Sequence, residues 1–323
     1  MRRGTGLGRV VVTRALVVAA LLVARAASAF AQAWVPPAGV GSVTVSFQNL
    51  DYSGHFATDG EFFEDVGNSV HNRVDIEADF AITDRLSIVI GIPFVFTKYT
   101  DPDPLPPFVP FLPVDDCRCW HSGWQDFGFT ARYNLMNGAF GLTPSVSLGV
   151  PSHGYDFQGE AVLGERLKEL RIAVDAGHRL DFITPRLSVQ GRYSYAFVEQ
   201  VLDDVPVDRS NAALEGEFTF TRRLAARGVL TWQRVHRGLR LGSASEDPFA
   251  FPGEVNTPER LFEHDRLLRD NNFRVGGSVA YSLEKMDLFF SYFQLLQGND
   301  SHGGRAITVG VSWPFEIRKR PAP

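Results

Sequence analysis

The chain has 323 residues, of which 32 are basic and 37 are acidic. Residues 1–33 contain five arginines and no acidic residue, so the remainder has 27 basic residues (32 minus 5) against 37 acidic ones, a net charge of −10. This acidic balance argues against a nucleic-acid partner. Two cysteines are too few for a disulfide-stabilised scaffold.

Residues 1–33 are predicted to be a secretion signal. Arginines at positions 2, 3, 9 and 14 precede an unbroken apolar run at 15–24, and small residues permit cleavage after Ala31 or after Ala33. This run is too short for a membrane-spanning helix, which needs about 20 residues, and no later stretch approaches that length. The predicted organisation is a signal peptide at 1–33, a barrel at 34–315 and a short charged tail at 316–323.

The rest of the chain is dominated by segments in which apolar and polar residues alternate with period two, as in a β-strand with two different faces. In segment 70–82, Ile76 and Phe80 alternate with Asp75, Glu77 and Asp79. These carboxylates are predicted to line a polar lumen, because unpaired charge in hydrocarbon costs several kcal/mol. The predicted strands, in chain order, are 40–52, 70–82, 86–99, 124–135, 142–151, 167–179, 186–199, 209–221, 224–237, 270–283, 286–297 and 305–315.

The connections between the predicted strands alternate in length. Long connections follow the odd-numbered strands and short ones follow the even-numbered strands, which places both termini and the short turns on the periplasmic side and the long loops outside the cell. The longest loop contains Thr257, Pro258 and Glu259, which suit an N-cap and an acidic first turn, so a short helix is predicted at 258–268. The sequence therefore predicts an all-β fold, an antiparallel transmembrane β-barrel of about 12 strands.

Charged residues on the lumen face of these strands are the first candidate functional group. They could form a polar pathway that sorts solutes by charge, or a filling of paired ions, because a barrel of this size has a narrow lumen in which buried charges must pair. For any single residue the second interpretation is favoured. The predicted lumen-lining residues are Asp75, Glu77, Asp79, Asp126, Arg132, Glu169, Arg171, Asp175, Arg179, Arg192, Glu215, Glu217 and Arg227.

Two Gly-x-Pro units interrupt apolar strands, with Gly91 and Pro93 in the third and Gly149 and Pro151 in the fifth. Proline removes a hydrogen-bond donor from the ladder and belongs at a bulge or an unpaired edge. One hypothesis is a weakened seam in the wall through which an apolar solute leaves sideways into the membrane. The alternative, which the sequence favours, is a pair of bulges that only bend the sheet near the outer rim.

The two cysteines lie close together as Cys117-x-Cys119-x-His121 in a Pro-rich loop. This cluster is a weak metal-binding candidate, because a structural zinc site requires a second pair of ligands. In an oxidising compartment, a local disulfide is at least as good an interpretation. No metal and no cofactor is predicted.

No enzyme motif such as G-x-S-x-G, H-E-x-x-H or a phosphate-binding loop is present in the sequence. A membrane-embedded hydrolase would need a serine, a histidine and an amide partner on the barrel wall. The nearest candidates, His121-Ser122 and His71-Asn72, lie in or beside predicted loops. The chain is therefore predicted not to be an enzyme.

Five stretches together resemble a known family. They are AWVPPAGVGSVTVSFQ, IEADFAITDRLSIVIGIPFV, GWQDFGFTARYNL, LTPSVSLGVPSHGY and ITVGVSWPF. These patterned hairpins are similar to those of the meta-pathway phenol-degradation family of outer-membrane barrel proteins, described as transporters. The resemblance implies a barrel that helps apolar aromatic compounds cross the outer membrane, and it brings no catalytic residue with it.

The expectation is a monomeric barrel in the bacterial outer membrane, in contact with membrane lipid and lipopolysaccharide. Its expected function is a channel or transporter for small hydrophobic or aromatic solutes. Two alternatives remain open, namely a plugged barrel with a structural or surface-binding role and a membrane-embedded hydrolase.

Overall fold

A computed structural model describes residues 32–100, 119–157, 161–242, 254 and 257–317. Fourteen strands and one helix make up this part of the chain. The strands are β1 (Val40–Phe56), β2 (Phe62–Ala81), β3 (Leu86–Thr100), β4 (His121–Trp124), β5 (Phe127–Tyr133), β6 (Met136–Asn137), β7 (Phe140–Val150), β8 (Glu169–Arg179), β9 (Leu187–Val198), β10 (Arg209–Thr219), β11 (Leu224–Val235), β12 (Asn271–Ser282), β13 (Asp287–Asn299) and β14 (Ser301–Glu316).

These strands form one closed antiparallel sheet. Each membrane-crossing strand pairs with the crossings before and after it in the chain, and β14 pairs with β1 to close the ring. Two short strands, β4 and β5, both pair with β3 and together make one membrane crossing, while β6 is a two-residue extension that pairs with β7. The predicted 12-strand antiparallel barrel is therefore confirmed.

The outer surface of the barrel is apolar because the strands alternate as predicted. On β8, for example, Leu170, Ile172 and Val174 are exposed while Ala173 and Asp175 are buried on the opposite face. In a closed barrel the exposed apolar face meets lipid and the other face meets the lumen. No helix in the described part of the chain is both long and apolar enough to cross a membrane.

Several strand boundaries differ from the prediction. The hairpin of β1 and β2 is longer than predicted, because both strands continue past a register shift between Tyr52 and Gly54. The fourth predicted strand, 124–135, is broken at Gln125 and Asp126. Alternation alone detects neither feature, because a bulge changes the pairing without removing the surrounding pattern.

The predicted helix is present as α1 (Pro258–Leu267). Thr257 caps it by accepting a hydrogen bond from the backbone N–H of Arg260, and Glu259 lies in its first turn. Leu267 and Leu268 at its end are buried against Leu239. Around this contact a small apolar core forms on the loop side of the barrel, from Leu167, Val205, Val207, Val235, Leu239, Leu267 and Leu268.

Candidate functional site

A cavity of about 340 Å³ occupies the loop-side half of the lumen. Its wall combines side chains from β1, β2 and β3 with others from the loops that follow β7 and β11. Its lining is mixed, with apolar Leu50, Val95, Val162 and Leu163 and polar Gln48, Tyr52, Ser69, His71, Arg73, Gln125, Asp126, Glu165, Asp265, Arg266, Asp270 and His302. Of the predicted lumen residues, Asp126 lies in this lining.

Most of these lining residues were not predicted as site residues. Arg73 could have been found, because it continues the lumen face of β2 that carries Asp75. Tyr52, Asp265 and His302 could not, because they come from three distant segments that only the closed ring brings together.

Aromatic rings meet at one side of this cavity. The ring of Tyr52 lies 5.5 Å from that of His71 and 5.3 Å from that of His302, measured between centroids. Edge-on and tilted arrangements of this kind are favourable for aromatic pairs. The three rings therefore pack together at one side of the cavity.

Next to Asp126 in the cavity lining, Tyr155 holds the loop after β7 against the broken strand. Its hydroxyl donates to the Asp126 carboxylate at 2.6 Å and accepts from the backbone N–H of Arg166 at 2.8 Å. Burial, together with the hydrogen bond to Asp126, raises the pKa of Tyr155, so the phenol stays protonated and remains a donor. The loop after β7 is thereby fixed to the point where β4 ends.

A chain of ion pairs continues from the cavity. Arg209 contacts Glu165 at 2.5 Å and Glu169 at 3.1 Å, and Arg171 contacts Glu169 at 2.7 Å. Burial alone would raise the pKa of Glu165, but the charge and hydrogen bonds of the Arg209 guanidinium outweigh burial, so the pKa of this carboxyl lies below its ordinary value. Burial raises the pKa of Asp270, which also lines the cavity, despite the nearby Arg274.

Most of the other predicted lumen charges also have partners. Arg132 contacts Asp79 and donates to Ser87, while Arg192 contacts the fully buried Asp175 at 3.2 Å. Arg227 lies between Glu215 and Glu217, and Asp75 pairs with Arg73. Arg179 stacks over the Trp34 ring, and Glu77 has no ion pair within the described residues. Local partners account for these charges except that of Glu77, while a role in selecting solutes stays a prediction.

Pro93 lies at an interruption of the sheet. Its pairing with β2 is continuous, with Asp75 directly opposite Pro93. On its other edge β3 pairs with β5 as far as Gly91 and with β4 from Phe94 onward. The gap is spanned by one bond, from the backbone N–H of Gln125 to the Pro93 carbonyl at 3.0 Å.

Pro151 follows the last residue of β7. The final ladder pair between β5 and β7 joins Phe127 to Val150, and β4 has no strand partner on its second edge among the described residues. Side chains occupy this space instead, since the Ser152 hydroxyl donates to the Trp124 carbonyl at 2.8 Å. Leu163 lies where a side chain on Gly123 would be. We call this region, from Pro93 through β4 to Pro151, the wall seam.

The two predicted seam glycines form a row with a third. Gly91 pairs with Gly128, and Gly128 pairs with Gly149, so the three lie side by side on the lumen face. A Cβ atom at Gly91 or Gly128 would meet no other atom within 4 Å. The lumen is therefore widened directly beside the wall seam.

The cysteine cluster does not offer free thiolates. Cys119 is disulfide-bonded, and the other cysteine of the chain, Cys117, lies outside the described residues. A sulfur in a disulfide is not a zinc ligand. In the described part of the chain, no group of three or more His, Cys, Asp or Glu side chains is arranged to hold a metal ion.

A serine–histidine contact is present that no motif in the sequence indicates. Ser210 Oγ lies 2.8 Å from His236 Nε2, and the Tyr193 hydroxyl lies 3.0 Å from the same oxygen. Ser210 pairs with Tyr195 on the outer face of the barrel, near its loop-side rim. Ser210 is only 2% exposed, and no described hydrogen bond joins a third side chain to His236. A triad needs both an accessible nucleophile and an oriented base.

No family model matches the sequence, and no curated protein matches it. Among solved structures, the COG4313 outer membrane channel from Pseudomonas putida F1 is similar in fold, with a TM-score of 0.65 and 14% identity over 90% of this chain and 100% of that one. The KdgM porin has a TM-score of 0.44 and 12% identity over 85% and 99% of the two chains. The translocator domain of the autotransporter NalP from Neisseria meningitidis has a TM-score of 0.46 and 9% identity over 87% and 90%.

The first of these similarities supports the architecture, and the other two are too distant to support an argument. The closed 12-strand barrel and its apolar outer surface make this chain a protein of the bacterial outer membrane.

Proposed function

We propose that the protein is an outer-membrane channel for small hydrophobic or aromatic solutes, with the loop-side cavity as its binding site and the wall seam as its exit. The observation that carries this proposal is that the cavity adjoins the interruption of the sheet, since Gln125, Asp126 and Leu163 belong to both. A volume of 340 Å³ falls in the range of small-molecule sites.

The chemistry of the cavity supports a solute with a flat apolar body and a polar group. The Tyr52, His71 and His302 rings offer stacking surfaces, and Leu50 contributes apolar contact. Gln125 and Asp126 in the same lining are hydrogen-bonding groups. A phenol-like molecule matches this arrangement, in agreement with the family resemblance of the hairpins.

The experiment is solute flux through the purified protein in liposomes. Small phenolic compounds are compared with charged sugars of similar size, and heat-unfolded protein serves as the control for leakage. The proposal expects faster flux of the phenolic compounds. Equal flux of both classes would remove the solute preference, and flux of neither through correctly folded protein would support a plugged, surface-binding barrel.

The alternative function, a plugged barrel that binds at the cell surface, is favoured because parts of the chain occupy both ends of the lumen. On the loop side, Asp265 and Arg266 of α1 lie over the cavity, and on the turn side residues 32–38 enter the lumen. The cavity and the wall seam favour the channel over this alternative, because a purely structural barrel needs neither.

The Ser210–His236 contact is an arrangement on which the alternative of a hydrolase can be tested. Reaction with a fluorophosphonate probe tests it, because such probes label serines activated by a neighbouring base. Labelling that disappears in Ser210→Ala would establish a nucleophile. We expect no labelling, because Ser210 is buried and its hydroxyl is shared with Tyr193.

A further inference from the structure

Residues 32–38 cross the turn-side end of the lumen before β1 begins. Ala33 and Val35 are 0% and 3% exposed. The Ala38 N–H donates to Asp84 in the turn between β2 and β3 at 2.8 Å, and the Trp34 indole N–H donates to the Gly138 carbonyl at 3.0 Å. Both contacts are made with periplasmic turns, so the segment lies at the periplasmic mouth.

Two glycines leave space for this segment. A Cβ atom on Gly141 would lie 2.6 Å from the Ala33 carbonyl oxygen, and one on Gly177 would lie 2.6 Å from the Trp34 ring and 2.7 Å from the Ala33 Cβ. All three distances are shorter than van der Waals contact allows. The lumen wall is therefore shaped around residues 33 and 34.

Side chains of the lumen wall also form hydrogen bonds with individual backbone N–H and carbonyl groups of this segment. The Ala33 carbonyl accepts from Asn134 at 3.0 Å and from Thr143 at 2.8 Å, and the Ala33 N–H donates to Gln190 at 3.2 Å. The Gln32 nitrogen donates to the Asp175 carboxylate at 3.2 Å. Asn134, Thr143 and Asp175 are almost completely buried, so these are not incidental surface contacts.

We propose that this part of the lumen is a binding site for the chain's own mature amino terminus, created by cleavage between Ala31 and Gln32. Hydrolysis of that peptide bond by one water leaves a carboxylate on Ala31 and an amino group on Gln32, which takes up a proton and forms an ion pair with Asp175. Cleavage after Ala33, the other site that the small residues permit, would remove every backbone contact to Asp175, Gln190, Asn134 and Thr143.

We call this binding site for the amino terminus the seat. A segment bound in the seat narrows the periplasmic end of the lumen. Residues 32–35 then act as a plug that limits passage through the lumen. This consequence rests on the proposed channel function, whereas the seat and the cleavage position do not.

Two measurements test the seat without relying on transport. Intact mass of the protein purified from outer membranes, expressed with its own leader, is expected to begin at Gln32 without loss of ammonia. A mass beginning at Trp34, or a cyclised Gln32, would overturn the proposal. Amine-reactive ester near pH 8 is then expected to label the Gln32 amino group about tenfold more slowly in the folded protein than in Asp175→Asn. Equal rates would also overturn it.

A second variant covers the case in which Asp175→Asn fails to fold. Gly177→Leu leaves the pair between Arg192 and Asp175 in place but fills the space that residues 33 and 34 occupy, so it is expected to expose the Gln32 amino group to labelling. Its matched control is Gly216→Leu, because a side chain at Gly216 meets no atom within 4 Å. The control is expected to label as slowly as the unmodified protein, and equal labelling of both leucine variants would contradict the seat.

Conductance in planar bilayers tests the plug. Deletion of residues 32–34 is expected to raise single-channel conductance above that of the unmodified protein. Equal conductance of the deletion variant and the unmodified protein would refute the plug without contradicting the proposed channel function. If neither protein conducts, the proposed channel function is wrong. The mass and labelling results still test whether the mature amino terminus binds in the seat.

Discussion

The two sides of the barrel wall are built differently. On one side, β1 pairs with β14 from Val40 to Phe56 and with β2 over almost the same length, with one register shift at Tyr52 and Gly54. On the other side, the ladder along β3 stops at Gly91 and resumes at Phe94. Both sides show the same alternation of apolar and polar residues, so the outer surface is equally apolar while the backbone pairing is not.

Proline explains the difference. The Pro93 carbonyl accepts from Gln125, so its nitrogen faces the same neighbour, because both backbone groups of a residue in an antiparallel pair point the same way. That nitrogen has no hydrogen to donate. The interruption along β3 is thus a consequence of one missing donor at a defined edge.

The largest expected difference between the two sides concerns ion pairs. Arg132, on the seam side, is buried with Asp79, whereas Arg305 and Asp51 form an exposed pair between β14 and β1. Arg132→Met leaves a buried carboxylate without its partner and is expected to lower the free energy of unfolding by about 3–5 kcal/mol. Arg305→Met should cost no more than about 1 kcal/mol. Urea unfolding in lipid vesicles measures both, and similar losses would refute the comparison.

The second largest expected difference between the two sides is the protection of backbone amides from hydrogen exchange. The seam lacks about two ladder hydrogen bonds, each worth about 0.5–1.5 kcal/mol net, so local opening should be easier by about 1–3 kcal/mol. Amides of β4 are therefore expected to exchange hydrogen about 10- to 100-fold faster than amides in the middle of β1. Hydrogen exchange read by mass spectrometry gives both rates. Equal protection would mean that the gap is closed in the membrane.

A smaller effect is expected from the loop that covers the seam. Because the pKa of Glu165 is lowered in the folded protein, its pair with Arg209 stabilises the fold above the ordinary carboxyl pKa, and this contribution is lost as pH falls through the lowered value. Glu165→Gln should therefore destabilise the protein at pH 7 by up to about 1 kcal/mol, since the side chain is partly exposed. The difference from the unmodified protein should shrink as pH falls below the ordinary carboxyl range and through the lowered pKa of Glu165. A constant difference across this range would exclude the ion pair as its cause.

The sequence predicts the barrel because the alternation of apolar and polar residues along its strands marks the lipid-facing side. Asp75, Glu77 and Asp79 can point only into the lumen, and Thr257 with Pro258 marks the start of α1. The cavity is different, because Tyr52, Asp265 and His302 become neighbours only when the ring closes. The seat for Ala33 depends on contacts across more than a hundred residues, which no local pattern records.

Flux through seam variants tests the central claim most directly. Replacing Pro93 and Pro151 with valine restores two backbone donors and should let β4 and β7 extend their pairing. Pro144→Val is the matched control, because Pro144 lies within β7 opposite Val174 and away from the seam. If solutes leave through the seam, the double variant carries phenolic solutes into liposomes more slowly than the unmodified protein, while the control does not. Unchanged flux in the double variant would contradict passage through the wall.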